Sequence, residues 1–340
     1  MLNPTNWRKL LLIIPILLIV NLGLAWITLK ILATPSAKGE PYVQVAGWPQ
    51  LPEGMTWGQV SGVGVDSQGQ VFVFHRAERV WQGENFGLDK IPSPTIAVLD
   101  GETGSLIRQW GAATFVIPHS LTVDQDDNLW LTDVGLHQVL KFDGEGHLLL
   151  ALGEPGVPGN DETHFNMPTD VAIATDGSFY VSDGYGNARV LHFSAAGEFL
   201  HQWGTAGDAP GQFSVPHGLA LDALGQVYVA DRGNARLQIF TAEGEWVTTW
   251  EKGEIGRPWA VRVGPDGVVY VVDGGDQREF WPDRARILKF DSGGNLLAAF
   301  GAYGDAPGQF IWPHTLDISA DGSLYVGEVA TGMRIQKFRP

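Results

Sequence analysis

A unit of 42 to 58 residues recurs six times along the chain, and this repeat limits the fold more than any other feature. It is plainest in five segments that open on proline: PHSLTVDQDDNLWLTD at Pro118, PTDVAIATDGSFYVSD at Pro168, PHGLALDALGQVYVAD at Pro216, PWAVRVGPDGVVYVVD at Pro258 and PHTLDISADGSLYVGE at Pro313. A degenerate first copy, VSGVGVDSQGQVFVFH, begins at Val60. Each copy holds two short apolar runs split by an Asp-Gly or similar turn, which reads as a β-hairpin. A third run follows (VLKFD, VLHFS, LQIFT, ILKFD, IQKF), then a fourth that ends on Trp-Gly or a relative of it. Four short strands at this period predict one β-propeller blade per copy. The sixth copy stops after its third strand, at Pro340, while YVQVAGWP at Tyr42 precedes the first. That leading segment is expected to add the outer strand of blade six, closing the ring and removing an open edge. The predicted fold class is therefore all-β, a six-bladed propeller over residues 42–340. Some two dozen tight turns account for the 44 Gly and 20 Pro. No helix-period segment follows residue 33, which argues against an α/β domain.

The N-terminus has a different character. Residues 10–29, LLLIIPILLIVNLGLAWITL, carry no charge. Twenty residues at about 1.5 Å each match the roughly 30 Å hydrocarbon thickness of a bilayer, so a single transmembrane anchor is expected. Arg8 and Lys9 place the short tail, residues 1–9, in the cytoplasm and the propeller outside it, periplasmic or extracellular, with 30–41 as a tether. The alternative is a cleaved signal peptide, with small residues at 33–37 (ATPSA), although its apolar region would normally be shorter. The whole chain has net charge −16, and residues 34–340 alone carry −19. Such an acidic domain is a poor nucleic-acid partner. With no Cys, disulfides, thiolate metal ligands and Cys nucleophiles are excluded.

Function should lie where the copies differ. The residue after the leading Pro is His119 in blade two, His217 in blade four and His314 in blade six. Blades one, three and five carry Ser61, Thr169 and Trp259 there. Equivalent positions of alternate blades stand about 120° apart around the axis, so three imidazoles can face one point. Three neutral imidazoles with an open fourth position suit a catalytic Zn²⁺, or iron or another divalent ion. The other six His show no such phase. After the second strand, blades one and four carry Arg76 and Arg232, opposite each other across the ring. Two guanidiniums flanking one axial cavity suit a carboxylate or other anion. Tyr185 lies one residue further along in blade three. Taken singly, each Arg reads as a surface ion pair and the Tyr as a rim aromatic; with the His ring they converge. Arg189, Arg236, Arg286 and Arg334 recur at one repeat position and are expected to pair with the strand-end acids Asp183, Asp231, Asp273 and Glu328 of their own blades.

The units resemble NHL repeats. FHRAERVWQGENF at Phe74, IPHSLTVD with LTDVGLHQVLKFD, MPTDVAI with VSDGYGNARVLHF, and GQFSVPHGLAL with VADRGNARLQIF resemble more specifically the peptidyl-α-hydroxyglycine α-amidating lyase family, over about residues 42–340. The resemblance implies a zinc held by His119, His217 and His314, a catalytic Tyr185, and substrate binding by Arg76 and Arg232. It implies cleavage of a carbinolamide N–C bond to an amide and glyoxylate, with a small anionic or peptide-like substrate. Two departures stand out. Trp312 replaces a pocket-lining Met, so it is expected to reshape the substrate site, and Thr315 replaces an Asp that helps hold a structural calcium, so that ion is not expected. Two rival readings are a non-catalytic NHL propeller that binds a protein or glycan, and a calcium lactonase. The His-rich axis disfavours the latter.

Overall fold

The computed structural model describes residues 42–81, 87–251, 253, 255–275 and 284–340. Of the sequence readings, the tail 1–9, the apolar run 10–29, the whole tether 30–41 and the end of the FHR…NF motif lie outside these residues. Among the described residues no helix is long and apolar enough to cross a membrane.

Six four-stranded antiparallel sheets form the propeller. Their inner strands are Val60–Val65, Pro118–Val123, Pro168–Ile173, Pro216–Leu221, Pro258–Val263 and Pro313–Ile318. In each blade the second strand is buried along nearly its whole length, because both of its faces are covered by neighbouring blades, and it is apolar up to its polar end. Six apolar clusters sit between successive blades and close on themselves. Phe72 and Phe74 of blade one pack with Leu121 and Leu131 of blade two, and Val60 and Val71 pack with Tyr325 and Ile335 of blade six. Blade six is completed as expected: Val43–Gln44 pairs with Ile335–Arg339 in the register Val43↔Arg339 and Gln44↔Phe338. Tyr42 fastens this seam, stacking on Phe300 at 5.1 Å and donating to the Gly322 carbonyl at 3.1 Å.

The strand-end acids do the structural work expected of them. Asp183, Asp231, Asp273 and Glu328 each accept from the Nε of their own blade's Arg, which opens the third strand or, for Arg334, immediately precedes it. Asp133 of blade two has Gln138 opposite it instead, and accepts four backbone N–H groups, from Val116, Ile117, Gly135 and Leu136. Blade one has His75 at this position. Its Nδ1 accepts the Ala77 N–H at 3.1 Å, and burial pushes its pKa down to about 4. The native state then holds fewer protons than the unfolded chain between pH 6.5 and 4. Stability is therefore present above that window and lost as the pH falls through it, by about 3 kcal/mol for this group. Urea unfolding midpoints should fall less steeply with acid in His75→Gln than in the parent chain; equal slopes would contradict the assignment.

Candidate active site

In every blade the pairing between first and second strands slips by one residue just after the leading position. Pro118 faces Asp133 and Ser120 faces Thr132, leaving His119 as an extra, bulged residue. The same slip leaves Ser61, Thr169, His217, Trp259 and His314 unpaired. A bulge re-aims its side chain, and here the six bulges turn their residues toward the axis.

The three predicted His meet there. Their ring centroids form a nearly equilateral triangle with sides of 4.8, 4.9 and 5.1 Å. Their candidate ligand atoms all lie within 4.8 Å of one another, and all three rings are buried. Each Nδ1 is spoken for by the bulged residue of the next blade: His119 with the Thr169 carbonyl at 2.6 Å, His217 with Trp259 at 2.6 Å, His314 with Ser61 at 2.8 Å. A carbonyl can only accept, so Nδ1 carries the hydrogen and Nε2 keeps its lone pair. Burial and the nearby cations push all three imidazoles well below the ordinary His range. Neutral rings with Nδ1 tied to an outer partner and Nε2 free toward a common point are the donor set a divalent metal such as zinc takes.

Tyr185 wedges between two of these rings. Its phenol oxygen is 2.9 Å from His217 Nε2 and 3.2 Å from His119 Nε2, and it accepts from Arg232 Nη1 at 3.3 Å. The Arg232 guanidinium lies 4.2 Å from the centroid of Trp259. On the opposite side Arg76 is buried, donates from Nε to the Pro118 carbonyl at 2.9 Å and from Nη1 to Gln59, and lies over Trp81 at 4.9 Å. Burial pulls its pKa down to about 10. Among the described residues neither Arg76 nor Arg232 has a carboxylate within ion-pair distance, unlike the four repeat-position arginines.

These groups open onto a cavity of about 720 Å³, into which His314 projects as the one ring of the three on its wall. Met167, Val215 and Trp312, the residues preceding the leading Pro of blades three, four and six, line it too. All three have left-handed backbone, with φ of 61°, 58° and 58°. For non-glycine residues this is uncommon and clusters at functional sites. Trp312, expected as a substrate contact, packs edge-on to Trp259 at 6.2 Å.

The structure thus brings together every residue singled out from the sequence for the site. Sequence reasoning passed over Gln59, Trp259, Met167 and Val215. Trp259 was noted only as a blade without His, yet it both orients His217 through its carbonyl and supports Arg232 with its ring. The signal that could have found it is Gly274: a Cβ there would fall 2.6 Å from the Trp259 ring.

The NHL repeat model matches residues 165–193 and 213–240. The chain is 40% identical over 322 residues to the peptidylglycine α-amidating monooxygenase of Rattus norvegicus, covering 87% of this chain and 32% of that protein. It spans about a third of the length of the vertebrate amidating monooxygenases it matches. It is 36% identical over 294 residues to a Caenorhabditis elegans protein named as a peptidyl-α-hydroxyglycine α-amidating lyase, covering 80% of each. A solved streptogramin B lyase shares the fold with a TM-score of 0.55 at 14% identity, over 88% of this chain and 86% of that one.

Proposed function

The chain belongs to the peptidyl-α-hydroxyglycine α-amidating lyase family, and on that premise we propose that it cleaves the N–C bond of an α-hydroxyglycine carbinolamide, giving an amide and glyoxylate. The observation that carries this reading is a pair of guanidiniums without a carboxylate at ion-pair distance among the described residues, facing one cavity beside a ring of three neutral imidazoles. A buried cation lacking a counter-charge is costly and marks the place where an anion docks.

In this reading Arg76, held by Gln59 and the Pro118 carbonyl, takes the substrate carboxylate. His119, His217 and His314 would hold a divalent ion such as zinc, which supplies Lewis acidity toward a substrate oxygen. In its phenolate form Tyr185 receives the hydroxyl proton, becoming the neutral phenol that then protonates the leaving nitrogen, and Arg232, donating into the phenolate oxygen, stabilises its negative charge. The former O–H electron pair becomes the carbonyl of glyoxylate, the C–N bond breaks, and the proton ends on the departing amide nitrogen. No water and no redox partner enters the balance. Trp312 and Met167 provide an apolar wall for the acyl or peptidyl portion. Residues 10–29, by their composition, would anchor the enzyme in a membrane with the propeller outside the cytoplasm.

The test is turnover of α-hydroxyhippurate by the purified chain, reading glyoxylate and benzamide, with metal content measured before and after chelation. Equal yields of both products and loss of turnover on chelation are expected. A chain that binds no metal and releases no glyoxylate would return the protein to the class of non-catalytic propellers. Within this assay Arg76→Ala should lower kcat/KM by about 10²–10³-fold, mainly through KM, as expected for losing a buried charge-assisted contact. Arg76→Lys should recover little of this, because an ammonium cannot reproduce the Nε and Nη1 bonds that fix the guanidinium.

A further inference from the structure

Directly behind the His ring the axis holds a second charged assembly that the proposed chemistry does not use. A small space of about 10 Å³, room for no more than about one water, is lined by all three His and by Asp170, Arg262 and Thr315. Arg262 comes from the inner strand of blade five. Its Nη1 donates to Asp170 Oδ2 of blade three at 2.9 Å, to the Leu219 carbonyl of blade four at 3.0 Å and to the Val261 carbonyl at 2.9 Å. Its Nη2 reaches Thr122 Oγ1 of blade two at 3.3 Å. The same Asp170 Oδ2 accepts the Leu219 N–H at 2.9 Å. Asp317 of blade six, whose carboxyl burial pushes up and Arg262 pulls back, accepts the Val65 N–H of blade one at 2.8 Å. One guanidinium and two carboxylates thereby reach the inner strands of all six blades.

The resemblance noted from the sequence implies a structural calcium that needs an Asp where this chain has Thr315. Calcium requires six to eight oxygens at 2.3–2.6 Å. Here oxygens of Asp170, Leu219, Val261 and Thr122 already accept from the Arg262 guanidinium, and the second carboxylate, Asp317, accepts the Val65 N–H and feels the same cation, so a fixed positive charge stands among them. The residues present do not fit that ion.

We propose that Arg262 is a built-in axial cation, a positioning residue that holds the inner strands together beneath the metal-binding ring and replaces an exchangeable divalent ion. Asp170 is the neighbour of Thr169, whose carbonyl orients His119, and Arg262 lies three residues after Trp259, whose carbonyl orients His217. The lock and the ring therefore share the same two strands. The inference does not depend on the lyase reaction, because its readouts are melting temperature and calcium response.

The experiment compares thermal unfolding of the parent chain, Arg262→Ala and Arg262→Lys, with and without about 1–10 mM calcium, above the range in which extracellular calcium modules fill. The parent Tm is expected to be indifferent to calcium. Arg262→Ala should melt about 5–10 °C lower, since it strands the buried Asp170 carboxylate, and calcium should restore much of the loss by occupying the freed oxygens. Arg262→Lys, which keeps the charge, should lie between the two and ignore calcium. Stabilisation of the parent by calcium, an unchanged Tm in Arg262→Ala, or a destabilised Arg262→Ala that calcium does not rescue would each overturn the proposal. If Arg262→Ala does not fold, the parent and Arg262→Lys still decide it, a calcium response in either counting against the built-in cation.

Discussion

His217→Ala is expected to abolish the proposed metal binding and carbinolamide turnover together. His217 occupies the corner of the ring with the most dependants. Its Nδ1 is held by Trp259, its Nε2 faces the common point, and the Tyr185 phenol sits against it at 2.9 Å. Removing it leaves two donors of three, too few for the three-protein-ligand sites that bind catalytic zinc. Loss of an outer-shell partner alone costs metal affinity or activity by about 10–100-fold, so loss of a direct ligand should exceed about 10³-fold in kcat/KM and leave well under one equivalent of metal. His147, with 78% of its side chain exposed and no part in the ring, is the control. His147→Ala should keep both metal and rate. A His217→Ala chain with full metal content and parental turnover would show that the ring is a packing feature.

Tyr185→Phe should separate chemistry from binding. The ring keeps its contact with Trp81 at 5.2 Å, so the pocket wall survives, while the one atom that touches His119, His217 and Arg232 disappears. Loss of a positioned proton acceptor is expected to lower kcat by about 10²–10⁴-fold. KM should change little, because the carboxylate anchor at Arg76 lies across the cavity, and metal content should be preserved. A rise in KM with unchanged kcat would make Tyr185 a substrate contact only, and the proton would need another acceptor.

The site was legible in the sequence to the extent that it follows the repeat. His119, His217 and His314 share one phase, and Arg76 and Arg232 share another, so rotation about the axis alone brings each set inward. Gln59 and Trp259 were not legible because each matters through a partner far along the chain: Gln59 through Arg76, Trp259 through His217 and Arg232. Arg262 escaped notice for the same reason. In the sequence it is a charge in an apolar strand, PWAVRV, and its meaning comes from Asp170, 92 residues away, and Thr122, 140 residues away. The sequence departure at Thr315 pointed to a missing calcium ligand, but not to the cation that stands in its place.

By itself the sequence determined the number of blades, the strand count of each, the seam between Tyr42 and Pro340, and which residues occupy equivalent positions. These are local matters: strand alternation, turn residues and period are written within each copy of the unit. Only the tertiary structure decided where the equivalent side chains point. In a regular strand successive residues face opposite ways, and a one-residue slip reverses them. The bulge after each leading position makes that choice in all six blades. Closure of the ring then brings each bulged His Nδ1 against the next blade's carbonyl and turns Nε2 toward the axis, where Tyr185 meets two of the three. Both depend on contacts between blades, which no single repeat contains.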